Sequence, residues 1–256
     1  MNEDERSSHG SSFGAVAAAY AEHRPDYADA AVRWALETAP GPRVLDLGAG
    51  TGKLTAALLA LGADVIAVEP DPSMLAELRR LLPSARAMEG SAESIALADG
   101  SVDAVLAGQA LHWFDMAVAG PEIARVLSPG GILAGLWNVY DDRIDWVAGF
   151  DRISAGAAGV TLSNWQAEEA AAHLAAIDLP ELFSSAERAE FRHAQCRTAD
   201  SLLATIATHS ELLVMPADAR TDLLGRIRAY LESRPQTASG EFTLPLMTGV
   251  LRARRR

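Results

Sequence analysis

"VLDLGAGTGKLTAALLALGADVIAVEPD" (residues 44–71) sets an apolar run against a glycine-rich turn, then a leucine-rich stretch, a second apolar run and an acidic exit. "RVLDL" is short and apolar apart from Arg43 at its start and Asp46, the pattern of a strand buried on both faces of a parallel sheet. Leu54, Leu58 and Leu61 fall on one face of the helix that follows, and Gly62 is placed as its stop. "DVIAVE" is a second buried strand. Asp71 then caps a helix whose first residue is Pro72. In an open parallel sheet, ligands sit beyond the carboxyl ends of the strands, near the point where strand order reverses. The glycine turn lies at such an end.

The same rhythm continues. Met74, Leu75, Leu78 and Leu82 face inward along the second helix, and Pro83 ends it. "ARAME" is a weaker third strand and "SVDAVLAGQAL" a fourth. In the helical "DMAVAGPEIARVL", Pro121 predicts a kink or break. "SPGG" reads as a turn and "ILAGLWN" as a fifth strand. Two short helices separated by Arg24-Pro25 precede the first strand. Beyond residue 140 the sequence predicts an alanine-rich helical insertion over 141–185, a strand near "ERAEFRHA", and helices over 198–233. "GEFTLPLMTGVLRA" alternates as an edge strand would. The fold class is therefore α/β, a doubly wound, Rossmann-like, mostly parallel sheet with a C-terminal helical cap and an antiparallel edge strand. Its expected parts are a disordered tail (1–12), a ligand-binding core with an N-terminal helical lid (13–140), and cap insertions with the last strands (141–256).

Composition narrows the function. The 256 residues, 49% of them hydrophobic, suit one large α/β domain. No stretch approaches the roughly 20 apolar residues of a membrane span, and the polar, acidic start lacks a secretory signal. Cys196 is the single cysteine, which points to a reducing, cytoplasmic home. A net charge of −12 disfavours nucleic-acid and anionic-membrane partners. The terminal "RARRR" runs against that balance, and a solvated end is its simplest reading.

Three ligands compete for the glycine turn. A phosphate-gripping P-loop needs G-x-x-x-x-G-K-[ST], but Leu47 and Leu54 occupy its two ends. The dinucleotide fingerprint G-x-G-x-x-G is met by Gly48 and Gly50 and fails at Lys53. The spacing G-x-G-x-G suits S-adenosylmethionine, which has no phosphate and carries a sulfonium, an ammonium and two ribose hydroxyls. Such a ligand calls for acidic acceptors. Asp46 lies at the end of the first strand, and Glu69 ends the second, where a carboxylate takes ribose hydroxyls.

"VLDLGAGTG", "VEPDPSML", "GSAESIALADGSVDAV", "QALHWFD" and "LSPGG", in that order, resemble the class I S-adenosylmethionine-dependent methyltransferases, in particular the small-molecule group that includes trans-aconitate-methyltransferase-like proteins. The resemblance covers residues 13–137 well and the C-terminal half loosely. It implies that Asp46, Gly48 and Gly50 hold the methionine and ribose end of the cofactor and that Glu69 takes the ribose hydroxyls. Pro70, Asp71 and Met74 would border the adenine, with Ser91, Ala92 and Glu93 at its amino group. Gln109 and Ala110 would pass the sulfonium, and Tyr20 and Arg24 are candidates for the cofactor carboxylate. "GQALHW" stands where nucleic-acid amino methyltransferases carry an Asn-Pro-Pro-Tyr-type block, so a small-molecule acceptor is expected.

Methyl transfer is an in-line displacement, governed by positioning and water exclusion. His112 is the candidate base for an acceptor that must lose a proton, with packing against its aromatic neighbours as the alternative. Trp113, Phe114 and Trp137 are candidate walls of the acceptor pocket, and Tyr140, Trp146 and Trp165 are candidate selectors in the cap. Asn138, Asp141, Asp142 and Asp145 are explained by turn and cap duty without a metal. Two other functions stay open: a cofactor-binding protein without methyl transfer, and a nicotinamide-dependent dehydrogenase. The sequence leaves the oligomeric state undetermined.

Overall fold

A computed structural model describes residues 17–158 and 179–256. The polar tail (1–12), Trp165 and much of the 141–185 insertion lie outside the described residues. The elements run α1 (Ala17–His23), α2 (Asp29–Leu36), β1 (Arg43–Leu47), α3 (Lys53–Ala60), β2 (Asp64–Glu69), α4 (Pro72–Leu81), β3 (Arg86–Glu89) and β4 (Val102–Gly108). After a 3-10 turn at Leu111–Trp113 come α5 (Met116–Val126), β5 (Leu127–Tyr140), α6 (Asp145–Ala158), β6 (Glu187–Arg197), α7 (Ala199–Ala207), α8 (Ser210–Leu213), α9 (Ala217–Glu232) and β7 (Phe242–Arg254). They form one seven-stranded sheet in the order β3-β2-β1-β4-β5-β7-β6. Pairs β1–β2, β1–β4, β2–β3 and β4–β5 are parallel, and antiparallel pairing enters toward the β6 edge. The order reverses between β1 and β4, which puts the glycine turn after β1 beside the switch point.

Three local expectations change. Helix α5 continues through Pro121 from Met116 to Val126 without a break. "SPGG" is not a turn between elements but part of β5: Val102 pairs with Leu127 and Ala104 with Ile132, so a two-residue step on β4 faces a five-residue step on β5. That bulge absorbs the turn residues inside the strand. Finally, β7 lies between β5 and β6, so the alternating segment read as an edge strand is interior, and β6 takes the edge. The burial of β7 is nearly continuous from Leu246 to Ala253, whereas β6 alternates and has no fully buried residue.

The described residues fall into two compact units. One comprises residues 26–138, 179–191 and 248–256; the other comprises 17–25, 139–158 and 192–247. The first, the sheet unit, has a core of Val32, Val44, Leu54, Leu58, Leu106, Ile132, Leu136 and Val250, drawn from α2, α3 and four strands. The second, the helical unit, packs Phe150, Leu202, Ile206, Leu223, Ile227 and Leu231 against Trp146 and Phe242. Trp146 meets Phe242 edge to face at 5.7 Å, so this tryptophan is a core residue of its unit.

The basic C-terminus proves structural. Arg254 donates to the Gly130 carbonyl (2.9 Å), Arg255 to the Leu127 carbonyl and Arg256 to the Phe183 carbonyl (2.9 Å). The tail thus fastens the β5 bulge. Just before it, Arg252 is 7% exposed and stacks over Trp34 at 3.8 Å while donating to the Trp34 carbonyl and to Glu187 Oε2. Replacing it strips a cation–π contact and removes its hydrogen bonds to the Trp34 carbonyl and the Glu187 carboxylate. Arg252→Ala should therefore lower unfolding free energy by about 2 kcal/mol, read as a lower denaturant midpoint. An unchanged midpoint would mean that the buried guanidinium contributes nothing to stability.

Candidate functional site

The site is built on the bend after β1. Gly48 N and Ala49 N both donate to the Val68 carbonyl, at 2.9 and 3.0 Å, so the turn begins hydrogen-bonded to β2. Gly48 has φ +72, and a Cβ there would lie 2.7 Å from the Ala110 Cβ. Only glycine lets the β1 and β4 turns approach so closely. Gly50 has φ +57, but around it a Cβ would meet nothing within 4 Å. The first glycine is required by packing; the second leaves bare backbone facing open space. Phe114 lines that approach, its ring 3.6 Å from the Gly48 Cβ position.

Two carboxylates flank the bend. Asp46 is fully buried; its Oδ2 accepts the Thr55 hydroxyl at 2.5 Å, and its Oδ1 is buried with no partner. Desolvation pushes its pKa up to about 7, opposed by the Thr55 bond and reinforced by the nearby Glu69 charge. Glu69 is 7% exposed, with Oε2 accepting Gly50 N at 2.8 Å and Oε1 accepting Asp71 N at 2.9 Å. Burial raises its pKa, and the two backbone donors pull it back. Thr55 was not singled out by sequence reasoning. Its only signal was its position three residues past Gly52, one helical turn above the bend.

Around these acids the structure sets the other expected residues. Asp71 caps α4 by accepting Ser73 N and Met74 N, which buries Met74 beside the end of β2. Pro70 is exposed and Ala92 buried. Glu93 Oε1 accepts Asp115 N at 3.0 Å, tying the loop after β3 to the start of α5. That loop is clamped further on: Glu122 accepts Ile95 N, and Arg125 donates to the carbonyls of Ile95 and Leu97 and to Asp99. The Arg125 guanidinium holds the Glu122 carboxyl down at about 2.

Gln109, at the end of β4, is the one non-glycine with positive φ among the described residues (+56). A left-handed non-glycine costs roughly 1–2 kcal/mol. The strain is held by Gln109 N bonding the Leu136 carbonyl and by its side-chain amide bonding the Asn138 carbonyl, both at 2.8 Å. Asn138 in turn accepts the Thr248 hydroxyl at 2.6 Å and donates to the Asp26 carbonyl. Sequence reasoning placed Asn138 among turn acids; it is instead the joint between the ends of β4, β5 and β7.

His112 is exposed on the 3-10 turn, its ring 4.7 Å from that of half-buried Trp113. Trp137 is buried, folded over Gly135 of its own strand. Tyr20 and Arg24 belong to the helical unit, where the Arg24 guanidinium lies over the Tyr20 ring and donates from Nε and Nη2 to the Thr208 hydroxyl and carbonyl. Asp141, also in that unit, is engaged by Arg143 at 2.5 Å and Arg192 at 3.5 Å.

The donor set fits a cationic, phosphate-free adenosine ligand. An unpartnered buried carboxylate oxygen calls for a hydroxyl or ammonium donor. Two acids at the bend oppose a diphosphate by Coulomb repulsion. Lys53, the one cation of the turn, is already paired with Asp26 at 3.0 Å.

Comparison with known proteins agrees with that chemistry. A family model described as a methyltransferase domain matches residues 45–135. An uncharacterized methyltransferase of Mycobacterium bovis is 42% identical over 94% of this chain and 95% of its own length. A malonyl-[acyl-carrier protein] O-methyltransferase of Methylococcus capsulatus is 36% identical over 57% of this chain and 59% of its own. Among solved structures, a type II methyltransferase from Anaeromyxobacter dehalogenans superimposes with a TM-score of 0.67 at 27% identity, covering 91% of this chain and 97% of that one. Neither non-transferring cofactor binding nor nicotinamide chemistry finds support in these relatives. The chain belongs to the class I S-adenosylmethionine-dependent methyltransferases, and it is an enzyme of methyl transfer.

Proposed function

We propose that the enzyme methylates a small organic acceptor, and that it holds S-adenosylmethionine on the bend between β1 and α3. The observation that carries this reading is the buried, unpartnered Asp46 Oδ1 beside the open face of Gly50. Asp46 and the Gly48–Gly50 backbone take the methionine and ribose end, Glu69 the ribose hydroxyls. Pro70, Met74, Ala92 and Glu93 border the adenine, and Gln109 lies along the sulfonium. When bound, the cofactor supplies a methyl on a positively charged sulfur that leaves as a neutral thioether.

The residues' own work is then positional. The strained Gln109 backbone and the Phe114 ring fix the wall past which the acceptor approaches, and half-buried Trp113 keeps water from it. His112, exposed beside Trp113, takes the proton of an acceptor that must lose one. An excess of 34 acidic over 22 basic residues fits a small acceptor rather than a nucleic acid, and the single cysteine fits a cytoplasmic setting. Among the described residues, no helix is long and apolar enough to cross a membrane.

Three measurements test this reading. Glu69→Ala should weaken S-adenosylhomocysteine binding by about tenfold or more, since it removes charge-assisted acceptors. Unchanged affinity by calorimetry would show that the ribose lies elsewhere. The second concerns pH. The folded Asp46 pKa of about 7 lies above its unfolded value, so this group favours folding at acid pH, and its contribution is lost as pH rises from about 4 through about 7. A bound cation favours the ionised form, so cofactor affinity should rise between about pH 6 and pH 8. Asp46→Asn should flatten that dependence; an equally steep profile in the variant would assign the titration to another group. Third, His112→Ala should lower kcat on a proton-bearing acceptor and leave cofactor affinity intact. An unaltered kcat would make the turn a packing element alone.

A further inference from the structure

Thr55 departs from what other helical hydroxyls of this chain do. Inside a helix, a serine or threonine hydroxyl commonly donates to the carbonyl four residues back. Ser154, Thr205 and Thr221 each do so, at 3.3, 2.9 and 2.8 Å. Thr55, the third residue of α3, donates instead across to Asp46 Oδ2 on β1 at 2.5 Å. Both partners are fully buried. A hydroxyl has one proton to donate, and here it is committed outside the helix.

That bond decides which oxygen of Asp46 is available. Oδ2 is taken, and Oδ1 is buried with no partner. The bond also acts on the state of the acid. Burial pushes the Asp46 carboxyl up to about 7 and the Glu69 charge adds to the rise, whereas the Thr55 hydroxyl and main-chain amide pull it down. This amide is one of those at a helix start that no carbonyl within the helix takes. The elements β2, β4 and α3 pack against β1. In the sheet, the register partners of Asp46 are Ala67 and Leu106, both uncharged. Asp64, Arg43 and Asp103 lie toward the opposite ends of their strands, and Lys53 at the start of α3 is paired with Asp26 at 3.0 Å. Against burial and Glu69, both opposing donors therefore belong to Thr55.

We propose that Thr55 is a positioning residue for methyl transfer: its hydroxyl orients Asp46 and keeps the carboxylate an acceptor, so that Oδ1 receives an ammonium or hydroxyl donor of the cofactor. Thr55 itself touches no ligand; it acts through Asp46. An acid that took up a proton at Oδ1 would present a donor to a donor, and a neutral group to a cation. This role rests on the cofactor lying at the bend after β1.

The test is S-adenosylhomocysteine affinity, measured by calorimetry between about pH 5.5 and about pH 9 on the wild type, Thr55→Val, Thr55→Ser and Asp46→Asn. Taking each variant as a ratio to the wild type at the same pH removes the titration of the ligand itself. Thr55→Val lacks the hydroxyl and should bind about tenfold more weakly near pH 6, the deficit closing toward about pH 9 as the acid ionises in both proteins. Thr55→Ser restores the donor and should restore the wild-type profile. A Thr55→Val deficit that stays constant with pH would reduce Thr55 to a packing residue and overturn the proposal. A wild-type profile in Thr55→Val, or a Thr55→Ser profile that matches Thr55→Val, overturns it too. If Thr55→Val does not fold, Thr55→Ala, which puts no methyl against the acid, is read by the same criteria. The Asp46→Asn profile separates this role from the cofactor reading beneath it. If that profile is flat while Thr55→Val shows no shift, the role of Thr55 alone is overturned. If it is as steep as the wild type, the placement of the cofactor at Asp46 fails, and the role of Thr55 falls with it.

Discussion

The bond from Gly50 N to Glu69 is the constraint on which the rest of the site depends. One buried carboxylate staples the β1 bend to the end of β2 and, through Asp71 N, sets the start of α4. The group proposed to face the ribose is therefore also the group that shapes the bend. Two acids buried side by side would ordinarily cost stability through desolvation and mutual repulsion. Here backbone donors satisfy Glu69, and the Thr55 hydroxyl satisfies half of Asp46. The unsatisfied oxygen of Asp46 is a place where a donor from outside the chain would gain a buried acceptor.

The loop after β3 is ordered by polar clamps as well as by the buried side chains of Ala92 and Ile95. Arg125 and Glu122, three residues apart on α5, grip the backbone of residues 95–99 from both its donor and its acceptor side. Glu93 does the reverse, reaching from that loop to the amide of Asp115, which itself caps α5. The clamps satisfy the loop's own main chain, as buried backbone demands. The same economy governs the end of the chain, where Arg254 and Arg255 bond carbonyls of the β5 bulge and Arg256 the Phe183 carbonyl.

Local periodicity is enough to read β1, α3, β2, α4 and the glycine turn between β1 and α3, because each owes its form to residues within a few positions of itself. The departures in the sheet arise from partners distant in sequence. "SPGG" has turn residues, yet β4 and the C-terminal arginines hold it within a strand. The alternation at 242–250 resembles an edge because strand order is a property of the whole sheet and leaves no local mark. Gln109 takes a conformation that its residue type disfavours, and only the carbonyls of Leu136 and Asn138 explain it. The acids and glycines of the bend are legible by type and spacing; the Asn138 joint and the loop clamps are not, since each joins residues distant in sequence, and Thr55, nine residues from Asp46, belongs to no motif.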